Sequence, residues 1–225
     1  TMFEQFEDQY MQLTHGDGGL KTNQFINKLI VQYLGNKVLN RLEDSAVIQG
    51  CKRIAFTTDS FVVDPLFFAG GDIGKLSVCG TINDLATTGC IPLGLSFSLI
   101  LEEGFPVNQL KRILQSMKMT LNEAKVQVIT GDTKVVETGS ADGIYINTTG
   151  FGYIDQDRLD PDQMQVGDSV IISGTLGDHG IAILAARGDL GIKTDLKSDC
   201  ASLNAMIDAV LQASDQVRIM RDPTR

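Results

Sequence analysis

Apolar residues recur along this chain in two rhythms. The helical one comes first at Phe25, Ile26, Leu29, Ile30, Tyr33 and Leu34, a single face behind a Thr22 or Asn23 N-cap. It returns at Ile73, Leu76, Cys79, Ile82 and Ala86, predicting a helix from near Asp72 to Gly89 with one side in the core. A third run, Leu110, Ile113, Leu114, Met117 and Leu121, predicts a core-covering helix over 106–124. Between them lie strand-like stretches: 46–48, a turn at Gly50, then 54–58 ending near Asp59, 93–101, 126–130 and 143–154. In the last, Ile144, Ile146 and Thr148 alternate with Tyr145 and Asn147.

The pattern changes after 154, where Asp155, Asp157, Asp160, Pro161, Asp162 and Gly167 crowd together with few apolar neighbours. Beyond this boundary the sequence predicts strands at 169–173 and 217–220, a turn at 177–180, and helices at 181–187 and 203–213. Strands alternating with helices make the fold class α/β. Three parts follow: a loop and helix at 1–39, an α/β domain at 40–154, and a sparse α+β segment at 155–225.

Charge narrows the chemistry. Lys and Arg number 19 against 28 Asp and Glu, a net charge of −9. That balance excludes a nucleic-acid face, and any phosphate site must be made cationic locally. No apolar run reaches the ~20 residues that cross a bilayer, and no signal segment opens the chain, so a soluble cytoplasmic protein with no membrane contact is expected. Cys51, Cys79, Cys90 and Cys200 are scattered and read as ordinary reduced thiols.

Several polar groups fall at element ends, where sites are built. Gly70 and Gly71 precede a helix with Lys75 in its first turn, a place where backbone N–H groups and an amine can meet an anion. Asp44, Asp59 and Asp84 lie in or beside the same unit and suit a magnesium ion bridging to phosphate oxygens. Gly131, Asp132, Thr133 and Lys134 follow a strand as a polar turn of similar character. The His15-Gly16-Asp17-Gly18-Gly19 loop is a weaker signal, since a simple turn explains three glycines equally well. His179 reads as a cap or packed residue.

In order, these motifs resemble the hydrogenase maturation HypE family of the aminoimidazole ribonucleotide synthetase (PurM-like) superfamily. The resemblance is carried by the 15–19 loop, Glu43-Asp44, Thr57-Thr58-Asp59-Ser60, Asp64 to Phe68, Gly71 to Lys75, Asn83 to Ala86, Ile100 to Gly104, Gly131 to Val136, Gly177 to Gly180 and Met220 to Arg225. It implies an N-terminal domain whose mixed sheet pairs with a second copy's into a barrel, with ATP along the interface. It implies an ATP-dependent carbamoyl dehydratase that converts a carbamoyl group on its own C-terminal cysteine into a thiocyanate. That group supplies the cyanide ligands of the [NiFe] hydrogenase iron. The partners implied are a second copy, the carbamoyl transferase HypF and the HypC–HypD iron scaffold complex.

Position by position, the resemblance makes Asp44, Asp59, Asp84, Asp132 and Asp222 the magnesium carboxylates. His15, Gly16, Gly18, Gly19, Asp59, Lys75, Asn83, Asp84, Gly131 and Thr133 become the ATP-binding set. Lys134, with Asp132, becomes the residue at the reacting carbamoyl. Asp17 departs from the small residue the family usually has in its glycine loop. The chain also ends at Arg225, inside a motif the family continues toward a terminal cysteine. Cleavage or truncation, and a fragment inactive by itself, are therefore expected. Two other readings are a superfamily kinase or synthetase acting on a free small molecule, such as a thiamine monophosphate kinase, and a non-catalytic dimeric docking module.

Overall fold

The structure is a computed structural model that describes residues 6–16, 19–42, 53–154, 159–188, 191 and 194–222. The expected strand at 46–48, the turn at Gly50 and the candidates Asp44 and Gly18 lie outside the described residues.

Among the described residues six strands are formed: β1 (Ile54–Phe61), β2 (Phe67–Phe68), β3 (Gly71–Asp72), β4 (Cys90–Glu102), β5 (Val128–Val136) and β6 (Ile144–Ile154). β2 and β3 make a small ladder of their own, while the others form a mixed sheet in the order β1-β6-β4-β5. β1 and β4 run antiparallel to β6, and β5 runs parallel to β4. The helices are α1 (Leu20–Phe25), continued through a π turn at Ile26–Ile30 into α2 (Val31–Leu34), then α3 (Ile73–Thr87), α4 (Val107–Ala124), α5 (Asp178–Arg187) and α6 (Asn204–Ala213).

The sheet has one packed face and one open face. Leu95, Phe97, Leu99 and Leu101 of β4 and Ile144 and Ile146 of β6 are buried in one core with α3 and α4. Each such side chain removed from water is worth roughly 1.5–3 kcal/mol. α4 follows its predicted stripe, with Leu110, Ile113, Leu114 and Met117 fully covered. α3 is more deeply embedded than a one-sided helix, because Ser77, Val78, Thr81, Ile82 and Leu85 are all buried. Its hydroxyls are satisfied internally: Thr148 Oγ1 lies 2.6 Å from Thr81 Oγ1 and donates to Ser77 O at 2.9 Å. On the open face, cross-strand rows set Ile54 beside Tyr153 and Ile91, and Ser60 beside Asn147, Ser98 and Asp132.

Four expectations are corrected. Gly19, not Thr22 or Asn23, occupies the N-cap of α1. Residues 131–136 are the body of β5 rather than a turn, since pairing with Phe97 to Glu102 overrides the turn tendency of Gly-Asp. β1 runs through Asp59 to Phe61. No strand forms at 169–173 or 217–220, where the described backbone has no ladder partner.

Candidate functional site

The sheet register decides which candidate residues can meet. Thr57 and Asp59 alternate onto the face of β1 that turns toward α3, opposite Gly150 and Thr148. There Thr57 Oγ1 donates to Asp84 Oδ2 at 3.2 Å. Partial burial pushes the Asp84 carboxyl above its usual range, and the charges of Asp59 and Asp222 push it the same way, against the Thr57 hydrogen bond. Asp59, Asp84 and Asp222, from a strand, a helix and a segment 138 positions beyond Asp84, thus share one electrostatic field (222 − 84 = 138). Among the described residues, no three His, Cys, Asp or Glu are gathered closely enough to hold a metal by themselves.

Asp132 and Lys134 are exposed on the open face of β5, beside Ser98 and Ile100 of β4. β5 is three strands from β1, roughly 14 Å at ~4.8 Å per strand. Asp132 therefore does not join Asp59 and Asp84 within one chain. Gly131 and Thr133 point to the opposite face from Asp132, as a strand requires.

The glycine loop belongs with β5. Gly16 lies so close to it that a Cβ would stand 2.6 Å from Val135 N, so the chain's own backbone explains the glycine. His15 is buried, 1% exposed, with Nε2 2.9 Å from Asp8 Oδ2 and Nδ1 accepting from Gln12 N at 3.1 Å. Phe6 and Phe25 pack around its ring. Its described contacts are those of a packed residue. Gly19 lies at the start of α1.

α3 begins differently from the expected anion site. Asp72 Oδ1 accepts from Gly74 N at 2.7 Å and Lys75 N at 3.1 Å, so the chain's own carboxylate occupies the helix N-terminus. Lys75 Nζ donates to Gly70 O at 3.0 Å. It lies nine residues before Asp84 on the same helix, about 13 Å along the axis. Asn83 is also committed: its amide nitrogen donates to Ala201 O at 2.9 Å, and its oxygen accepts from Leu203 N at 2.8 Å. Thr57 was not among the candidates, although its place two residues before Asp59 on a strand puts both on one face.

The arrangement gives two half-sites. One is a pair of carboxylates, Asp59 and Asp84, with a hydroxyl and a third acid nearby. They are hard oxygen donors whose mutual repulsion a divalent cation would relieve. The other is an amine beside a carboxylate on an open sheet face.

Residues 42–154 match the family model of the AIR synthase related protein, N-terminal domain, and 165–225 that of its C-terminal domain. A carbamoyl dehydratase HypE of Bradyrhizobium diazoefficiens is 49% identical over 216 residues, 95% of this chain and 62% of that protein. The crystal structure of a hydrogenase maturation protein HypE in complex with ATP is similar with a TM-score of 0.91 at 42% identity, covering 95% of this chain and 64% of that one. A HypE–HypF complex is similar with a TM-score of 0.74 at 46% identity, covering 89% and 66%. This chain thus spans less than two thirds of the length of the curated relative and of the ATP-bound structure.

Proposed function

Because the chain belongs to the AIR synthase related protein family, in its HypE branch, we propose that it carries the nucleotide half of an ATP-dependent carbamoyl dehydratase. The reaction suits the two half-sites. An amide oxygen is a poor leaving group, and transfer of the γ-phosphoryl of ATP onto it makes it a phosphate. Loss of that phosphate, with both nitrogen protons removed, leaves the C≡N bond of a thiocyanate when the carbamoyl is carried on sulfur. That product is the cyanide source for a [NiFe] hydrogenase iron. The substrate cysteine is the family's terminal one.

Asp59 and Asp84 would hold Mg²⁺ together with phosphate oxygens, the usual arrangement for an ion that binds through one or two carboxylates. When bound, the ion neutralises charge on the transferred phosphoryl. Asp222 lies close enough to add to that field. Thr57 fixes the Asp84 carboxylate through its hydroxyl. Lys134 orients the phosphorylated oxygen by its charge, with Asp132 beside it. Gly131 and Thr133 lie on the same edge strand as Lys134, and Gly16 packs against that strand at Val135.

These two sets lie on opposite faces of one chain, so the reaction centre is completed by a second copy. The open sheet face is the surface for it: Ile54, Phe56, Ile91 and Ile100 are exposed there, at 59, 70, 43 and 41%. Two such faces stacked would bury the apolar rows and close a barrel, with Asp132 and Lys134 at the contact. The similar HypE–HypF complex supports HypF as a further partner, and a HypC–HypD scaffold would receive the product. Among the described residues no helix is long and apolar enough to cross a membrane.

The observation that carries this reading is the Asp59–Asp84 pair, two like charges held together with nothing basic between them in the described contacts. Calorimetric titration with ATP and Mg²⁺ tests it. Wild type binds, and Asp84→Asn and Asp59→Asn each lose at least ~10-fold in affinity, about 1.4 kcal/mol. Unchanged affinity in both variants would refute the assignment. A carbamoylated cysteine peptide added in trans separates a dehydratase, which consumes it, from a small-molecule kinase or a docking module.

A further inference from the structure

Residues 198–203 run along α3 as a strap. Lys75, Cys79 and Asn83 stand four residues apart on α3 and so form one line along it. The strap meets this line at successive turns. Asn83 holds the backbone of Ala201 and Leu203 from both ends of its amide. One turn earlier Cys79 stands opposite Cys200, close enough for each thiol to act on the other. On the far side Ser198 N donates to Ala69 O at 2.8 Å. Ser198 Oγ accepts from Cys200 N at 3.1 Å and lies 3.0 Å from His179 Nδ1. Gly70 permits this approach: its φ is +94°, and a Cβ there would stand 2.6 Å from Ser198 O. Cys200 is therefore fixed from both sides against one partner.

The two thiols differ in access. Cys79 is 2% exposed, while Cys200 is half-buried and reachable. The neighbouring Cys79 pulls the Cys200 thiol below its usual range, helped by Lys75 and opposed by burial. Cys79 is raised by Cys200 and by burial. This is the division of roles in thiol–disulfide exchange, where an accessible thiolate attacks and a neighbouring thiol resolves.

We propose that Cys79 and Cys200 form a reversible disulfide that fastens the strap to α3, a redox-modification site separate from the nucleotide half-sites. The oxidant class is a small-molecule disulfide such as oxidised glutathione. Cys200 thiolate attacks one glutathione sulfur, breaking the S–S bond and releasing a first glutathione thiolate, which takes up a proton. Cys79 then gives its proton to water and attacks the Cys200 sulfur, expelling the second glutathione. Two protein thiols are oxidised, and one glutathione disulfide is reduced to two thiols.

The test exposes the 225-residue chain to oxidised glutathione, alkylates the remaining thiols, and maps non-reduced peptides by mass spectrometry. The expected result is a Cys79–Cys200 linked peptide, lost on adding dithiothreitol, with the strap cleaved more slowly by protease in the oxidised chain than in the reduced one. Cys90→Ser keeps the link and Cys200→Ser removes it. A lasting glutathione adduct on Cys200, pairing of Cys200 with Cys51 or Cys90, or full alkylation of both thiols after oxidation would each overturn the proposal.

Discussion

Residues 95–101 and 169–173 both read as strands, and their side chains end in opposite surroundings. Leu95, Phe97, Leu99 and Leu101 are at most 2% exposed, with β6 and β5 flanking them and two helices above. Val170 and Ile171 are at least 88% exposed, and no described strand pairs with them. The difference is one of neighbours, since a β segment gains from cross-strand and facing side chains and has little preference of its own.

Substitutions can break or sharpen this contrast. Leu99→Ala is expected to cost ~2–5 kcal/mol by chemical denaturation, because it opens a cavity under α3 and α4. Ile171→Ala in the exposed stretch is expected to change stability by less than ~0.5 kcal/mol. A large loss at Ile171 would mean that the second segment is packed after all. Asp72→Ala, which frees two N–H groups at the start of α3, is expected to cost about 1 kcal/mol in the same measurement.

A comparably small effect is expected at Asp84. Its carboxyl is raised in the folded chain, so its share of stability is full below the unfolded value near ~3.9 and is lost as pH rises through the folded one. Asp84→Asn should therefore stabilise the ligand-free chain, by at most ~0.5 kcal/mol, with a gain that appears only as pH climbs above about 4. Melting curves across pH check the sign. A variant that loses nucleotide while the free chain becomes slightly more stable marks Asp84 as kept for binding rather than for folding.

Periodicity read the packed domain well. The stripe of Leu110, Ile113, Leu114 and Met117 and the alternation at 144–148 each had one face to bury, and each buried it. It failed where partners were decisive. Gly131-Asp132 looked like a turn because nothing local announces a parallel neighbour 34 residues upstream (131 − 97 = 34). Residues 169–173 looked like a strand for the converse reason. In the site, Asp59 and Asp84 stood out by their places at a strand end and on the adjoining helix, and the family resemblance named them again, while composition said only that acids were plentiful. Lys75 and Asn83 were read toward phosphate, but their described hydrogen bonds are to backbone carbonyl and amide groups of Gly70, Ala201 and Leu203. Nothing in a linear pattern places residue 201 against residue 83. Nothing in the sparse pattern of residues 6–14 announces that His15 is enclosed, yet Phe6 packs against its ring and Asp8 meets its Nε2.

Asn83 and Asp84 are consecutive, and they look in different directions from the same turn of α3. One grips the strap, and the other faces Thr57 and the neighbouring acids. Both side chains leave one backbone, so a shift of α3 drawn by residues 201–203 would carry the Asp84 carboxylate with it. The helix is in that sense an axle with a load at each side of a single bearing, and whatever moves the one load carries the other.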